Sequence, residues 1–257
     1  MVSKVLKRLY LALILLFLYA PIVVMIVLSF NEGKSPAVWE GFSFKWYIEL
    51  FDDRNIMGAL KVTVSVAVIA TAISTVLGTL AAVGIHAMKK GWANLALNVS
   101  YLPMTMPDIV TGVSLMLLFV QLNIPTGFFT MLLAHIAFDT PYVLFSVMPK
   151  LQHMDPNMYE AALDLGCKPG RAIWSVIIPE ISPGIVTGML MAFTMSIDDF
   201  IISYFTGGTV NNLSMAVYGS AKRGVSPSMY ALFAIMFVVI LTLLIIVNSR
   251  SANGEAD

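Results

Sequence analysis

At 257 residues, 58% hydrophobic and 12% charged, the chain has about half the charge usual in a soluble domain, roughly 25%. That is too little polar surface to cover a soluble globule. The formal net charge is zero, which gives no reason to expect nucleic acid as a partner. The single cysteine, Cys167, excludes an intrachain disulfide and a cysteine-rich metal site.

The chain reads as an all-α polytopic membrane protein, one transmembrane domain over residues 1–257. About 20 mostly apolar residues cross a bilayer, and six such stretches are present: 9–30, 59–87, 95–121, 127–148, 183–205 and 229–249. The first follows the basic start Lys4, Lys7 and Arg8. It is too long for a signal-peptide core and lacks a small-residue cleavage site, so it is expected to be a retained span. Nine of the fifteen Lys and Arg residues fall on the side of the N-terminus, including that opening cluster, Lys89, Lys90, Lys150, Lys168 and Arg171. The positive-inside rule then places both termini in the cytoplasm.

Between the first two spans lies NEGKSPAVWEGFSFKWYIELFDDRNIMG, whose Trp39, Trp46 and Tyr47 suit an element lying along the outer membrane surface. Its Gly33-Lys34-Ser35 is no phosphate loop, because the residue five before Gly33 is Leu28 and not glycine. The second span, rich in Gly, Ala, Ser and Thr, suits close helix packing. In the third, YLPMTMPDIV puts Asp108 directly after Pro107, where its alternative role is to complement the positive end of a restarted helix. In the fourth, Asp139 precedes Thr140-Pro141 and is expected to cap a half-helix after a kink there. His86, His135 and His153 are too scattered for a metal site and read as ordinary helix or loop histidines. Tyr19, Tyr101, Tyr142 and Tyr204 can stack on an alkylammonium group, although core or interface packing accounts for tyrosines in spans more often.

The inner connection 149–182 reads PKLQHMDPNMYEAALDLGCKPGRAIWSVIIPEIS. Asp155 before Pro156 marks a helix start, and Gly166 a left-handed stop. Pro169 is expected to open a second short helix and Pro179 to close it. By physics alone this is either a docking element or a stiff connector. The spacing Glu160-Ala161-Ala162, three residues, Gly166, then Val176-x-Ile178-Pro179 resembles the EAA loop of bacterial ABC-importer permeases, with Val176 and Ile178 as conservative departures. The order of YAPIVVMIVLSFN, GFSFKWY, MPDIV, EAALDLG, SIDDF and GVSP along the chain is similar to the polyamine permeases of that family.

The resemblance implies a type I ABC-importer permease in the bacterial cytoplasmic (inner) membrane. Glu160, Ala161, Ala162, Gly166 and Pro179 would couple it to the ATPase. It also implies its partners: a second, homologous permease subunit, two ATP-binding subunits that hold ATP and Mg, and an extracytoplasmic polyamine-binding protein. The chain itself is expected to be no enzyme and to bind no cofactor, and it has no GxxxxGK[ST] sequence.

The fifth span ends in MSIDDF, where Asp198 and Asp199 sit side by side. One ionised group near the bilayer centre costs at least ~2.5 kcal/mol, and no Lys or Arg lies deep in a span to offset these acids. At ~1.5 Å per residue, Asp108 and Asp198 lie at similar depths and Asp139 slightly lower, as a water-filled cavity for a cation requires. Ser196 and Asp199, three apart, can share a helix face. The sequence shows nothing nearby that caps or pairs both Asp198 and Asp199. The expected substrate pathway is therefore Asp108, Ser196, Asp198 and Asp199, with Trp46 of FKWY at its mouth by resemblance to the family. The alternatives are a family permease for another solute (an opine, thiamine or an iron complex) and a secondary cation/proton antiporter, which has no use for an ATPase dock. The last outer loop, TGGTVNNLSMAVYGSAKRGVSPSM, reads as irregular, and the chain ends in the polar tail SANGEAD.

Overall fold

The computed structural model describes residues 4–254; Glu255, Ala256 and Asp257 of the polar tail lie outside them. In chain order the helices are α1 (Lys4–Leu28), α2 (Lys45–Asp52), α3 (Arg54–His86), α4 (Lys90–Thr105), α5 (Asp108–Gln121), α6 (Phe128–His153), α7 (Pro156–Asp164), α8 (Pro169–Ala172), α9 (Ile178–Asp198), α10 (Ile201–Thr206), α11 (Leu213–Arg223) and α12 (Pro227–Gly254). A π-helical turn, Ile173–Ile177, joins α8 to α9. Among the described residues one isolated antiparallel bridge, Asn31 with Phe42, is the only strand-like pairing. Four stretches are long and apolar enough to cross a membrane: Leu6–Leu28, Arg54–His86, Phe128–His153 and Pro169–Asp198. The pair α4 and α5 makes a fifth if counted as one broken span. The expected sixth, 229–249, lies on α12, of which Pro227–Val239 is described as an apolar helix.

The chain divides into two compact units: Met1–Met57 with Val217–Asp257, and Gly58–Ala216. In the first, α12 packs against α1 and α2. Asn31 organises the loop that leads to α2. Its amide nitrogen donates to the carbonyls of Val38 (2.8 Å) and Ser35 (3.2 Å), and its Oδ1 accepts from the Glu40 N–H (2.9 Å). Phe30, Phe42, Phe44 and Tyr47 stack beside it with ring centroids 5.2–5.9 Å apart.

In the second unit α6 is the central pillar, and small residues let its neighbours approach it. On α9, Gly184, Gly188, Ala192 and Ser196 recur every four residues and so form one stripe. A Cβ on Gly184 would stand 3.2 Å from the Val147 Cα, and one on Gly188 2.9 Å from the Val143 Cα. The same antiparallel stagger brings Ala192 to the level of Asp139 and Ser196 to that of His135. On its α3 side, α6 meets Gly78, where a Cβ would lie 2.8 Å from the Thr140 carbonyl oxygen, and Ser74, which donates to the Ile136 carbonyl at 3.2 Å. Such close backbone approach takes the place of a hydrophobic driving force between helices in lipid. Val143, Leu144, Val147, Met148 and Leu151 of α6 fill the core with Ala82, Ile85, Ile177 and Ile181.

Several expectations from sequence are corrected here. Pro179 does not close a short helix, because the helical path continues from Pro169 to Asp198. The wider π turn just before Pro179 accommodates its missing N–H and its ring. Nor does Pro141 break α6, so Asp139 has no half-helix to cap; the Thr140 hydroxyl braces the turn by donating to the Ile136 carbonyl at 2.6 Å. The third span is bent by 104° between α4 and α5, where Pro107 forces Met106 into an extended conformation (φ −79°, ψ 145°). The last outer loop is not irregular throughout, since Asn212 starts α11 by accepting the Met215 N–H at 2.9 Å.

If close approach to α6 holds the unit together, Gly188→Val should destabilise it by ~1–3 kcal/mol, as overpacking does. Gly84→Ala in α3, with nothing within 4 Å of the added Cβ, should instead be neutral or stabilising by up to ~1 kcal/mol. Thermal unfolding of the purified variants in detergent separates the two.

Candidate functional site

A cavity of about 380 Å³ opens where α5, α6, α9 and α10 converge, lined by Asp108, Phe138, Thr194, Met195, Asp198, Asp199, Phe200 and Ile201. Two local features bring its acids together. The bend at Pro107 restarts the chain as α5 with Asp108 as its first residue, where a carboxylate also complements the positive helix end. Gly112, one turn on, then lies against α10: a Cβ there would be 3.4 Å from the Ile202 Cα. At the other wall α9 stops at Asp198, and Asp199 is extended (φ −63°, ψ 125°) before α10 begins.

A helix break at membrane depth must satisfy its freed backbone groups from within the protein. Here the Asn212 amide donates to the Asp199 carbonyl at 2.9 Å and the Ser214 hydroxyl to that of Asp198 at 3.4 Å. The far end of α10 is held by the Thr130 hydroxyl, which donates to the Thr206 carbonyl at 2.8 Å.

The adjacent carboxylates have opposite surroundings. Asp198 is exposed to the cavity, and no donor among the described residues bonds its carboxylate. Asp199, also on the cavity wall, caps α10. Its Oδ1 accepts from the Ile202 N–H (3.1 Å), and its Oδ2 from the Ser203 N–H and hydroxyl (both 2.8 Å). Behind it stands His135 of α6, with Nε2 3.4 Å from the Asp199 Oδ2 and 2.9 Å from the Ser203 Oγ, and Nδ1 2.7 Å from the Ser196 Oγ. The side chains of His135 and Asp199 are only 1% and 7% exposed. Ser203 has one hydroxyl proton and gives it to Asp199, so the proton in the His135–Ser203 contact comes from Nε2.

Of the residues expected to form a pathway, the structure gathers Asp108, Asp198 and Asp199 at one cavity and withdraws Ser196 into the core beside His135. One of the acid pair, Asp199, is both capped and paired, while its neighbour is not. Trp46 belongs to the first unit, where it is buried and its indole N–H donates to the Asn31 carbonyl at 2.6 Å. Asp139 is fully buried, and neither carboxylate oxygen has a hydrogen-bond partner among the described residues. His135 was passed over in the sequence as an ordinary histidine. The available signal was a polar residue one helical turn before Asp139 in an apolar span.

The connection 149–182 carries a short capped helix with an exposed face. Asp155 caps α7 by accepting the Asn157 N–H at 2.9 Å. Gly166, at φ +85°, ends it with paired bonds from the Gly166 N–H to the Leu163 carbonyl (2.8 Å) and from the Cys167 N–H to the Ala162 carbonyl (3.0 Å). Tyr159 packs against the α6–α9 core. Glu160 and Ala161 are exposed, Ala162 is half-buried, and Leu165 is 90% exposed. Pro179 lies exposed at the start of α9.

Residues 74–252 match the family described as binding-protein-dependent transport system inner membrane component. The chain is 33% identical over 242 residues to the spermidine/putrescine transport system permease protein PotC of Haemophilus influenzae, covering 94% of each chain. It is 38% identical over 225 residues to the putrescine transport system permease protein PotI of Escherichia coli K12, covering 84% of this chain and 80% of that one. Among solved structures, a bacterial ABC transporter involved in import of the acidic polysaccharide alginate superposes with a TM-score of 0.70 at 16% identity, covering 97% of this chain and 95% of that one. The capped, exposed helix α7, the pillar of tightly packed spans and the acid-lined helix break are thus features of a chain that belongs to the binding-protein-dependent transport system inner membrane component family.

Proposed function

We propose that this chain is one permease subunit of an ATP-driven importer that carries polyamines, spermidine or putrescine, across the bacterial inner membrane by alternating access. The observation that carries this reading is the cavity at the α9–α10 break, where Asp108 and Asp198 present carboxylates with no Lys or Arg in the lining. An anionic or neutral cargo gains nothing from such a wall, whereas an alkylammonium group gains charge-assisted hydrogen bonds. The alginate importer, which shares the fold, handles an acidic cargo, so the fold alone does not set the sign of the cargo. The relatives named for polyamines support the same choice.

In this reading both termini are cytoplasmic and α7 docks on an ATP-binding subunit through Glu160, Ala161 and Ala162. Gly166 fixes where α7 ends, and the continuous helix from Pro169 through Pro179 to Asp198 passes motion from that dock to the cavity wall. A second permease subunit completes the pathway, a second ATP-binding subunit completes the motor, and a binding protein delivers cargo from outside. The ATP-binding subunits hold ATP and Mg. The carboxylates bind weakly enough to release cargo, which leaves selection mainly to the binding protein.

The direct test is uptake of labelled spermidine by cells expressing the assembled transporter. Asp198→Asn and Asp108→Asn should each cut uptake severely while assembly is unchanged. Undiminished uptake in both would point to a family permease for another solute, and uptake that survives ATP depletion but collapses with the proton gradient would favour an antiporter.

Stability should separate the adjacent acids in the opposite sense. Asp199→Asn alters bonds to a buried charged group and should cost ~2 kcal/mol or more, whereas Asp198→Asn, exposed and without a bonded donor, should stay within ~0.5 kcal/mol of wild type. Thermal unfolding of the detergent-solubilised transporter measures both.

A further inference from the structure

We propose that His135 is a positioning residue that assigns the two adjacent carboxylates their different roles: by holding Asp199 against α10, it leaves Asp198 as the member of the pair presented to the cavity. The inference rests on the reading of that cavity as a cation pathway and adds a residue that neither the EAA resemblance nor the acidic pattern singles out.

Asp199 lies on the cavity wall beside Asp198. Three bonds from α10 favour the inward position. A carboxylate 7% exposed nevertheless needs compensation that three neutral donors do not fully supply. His135 supplies it from a different helix, with Nε2 beside both the carboxylate and the Ser203 hydroxyl that bonds it. The ring is fixed at its other end by Ser196, at 2.7 Å from Nδ1. Ser196 reaches it because α9 approaches α6 closely along the Gly184, Gly188, Ala192 stripe. One imidazole therefore ties together α6, the last turn of α9 and the first turn of α10, directly behind the break. Without it, Asp199 would be better solvated in the cavity, which would then carry three acids in place of two and hold a polycation too firmly for release.

The test uses the assembled transporter without cargo, treated with a water-soluble carbodiimide and a small amine, with modified carboxyls located by mass spectrometry. In wild type, Asp108 and Asp198 should label, while Asp199 and the fully buried Asp139 stay protected. In His135→Leu, Asp199 labelling should rise to the level of Asp198 with Asp139 still protected. His135→Gln, which keeps a donor near the Nε2 position, should restore protection of Asp199.

Labelling of Asp199 in wild type, or its continued protection in His135→Leu, would overturn the proposal. So would Asp199 opening only together with Asp139 in both variants, since His135 would then be holding the core in general. Because no cargo is present, these outcomes are independent of whether spermidine uptake supports the cation reading.

Discussion

A carboxylate can stay buried among membrane helices only if the protein replaces the water it has lost, and at Asp199 that replacement organises the second unit. The donors come from α10, and the imidazole from α6. Because Asp199 is held from both, α9 can stop at Asp198, the chain can turn, and α10 can restart without unsatisfied groups in the interior. The break is not a weak point in a span but a bonded junction.

This junction depends in turn on packing several turns away. His135 meets Ser196 only because α6 and α9 run nearly backbone to backbone past Gly184 and Gly188. The same two helices bracket the inner connection. α6 ends at His153, just before the Asp155 cap of α7, and α9 is reached from Pro169 by a helical path with one π turn. α7 is therefore continuous in sequence with the pair of helices that carries the acid junction.

Much of this was legible in the sequence because membrane helices obey few rules. Apolar length predicted four of the six expected spans and a fifth as a bent pair, the Glu160–Pro179 spacing marked the long connection before α9, and Asp155 with Gly166 set the limits of α7 as the structure has them. The failures have a common cause: sequence spacing does not reveal partners on distant helices. Which of the two acids meets a neighbour was not readable, because His135 is 64 positions away and reaches Asp199 from α6. Asp139 looked like a cap because Pro141 looked like a break, while the packing around α6 keeps that helix continuous.

The central claim is that a cationic cargo crosses at the α9–α10 break beside Asp108 and Asp198. It is tested most directly by trapping a photoreactive spermidine analogue in the assembled transporter during turnover and mapping the cross-linked residues by mass spectrometry. The account predicts adducts on the cavity lining, at Phe138, Thr194, Met195 and Phe200, that excess unlabelled spermidine removes. Specific adducts confined to other parts of the chain, with none at this lining, would contradict it.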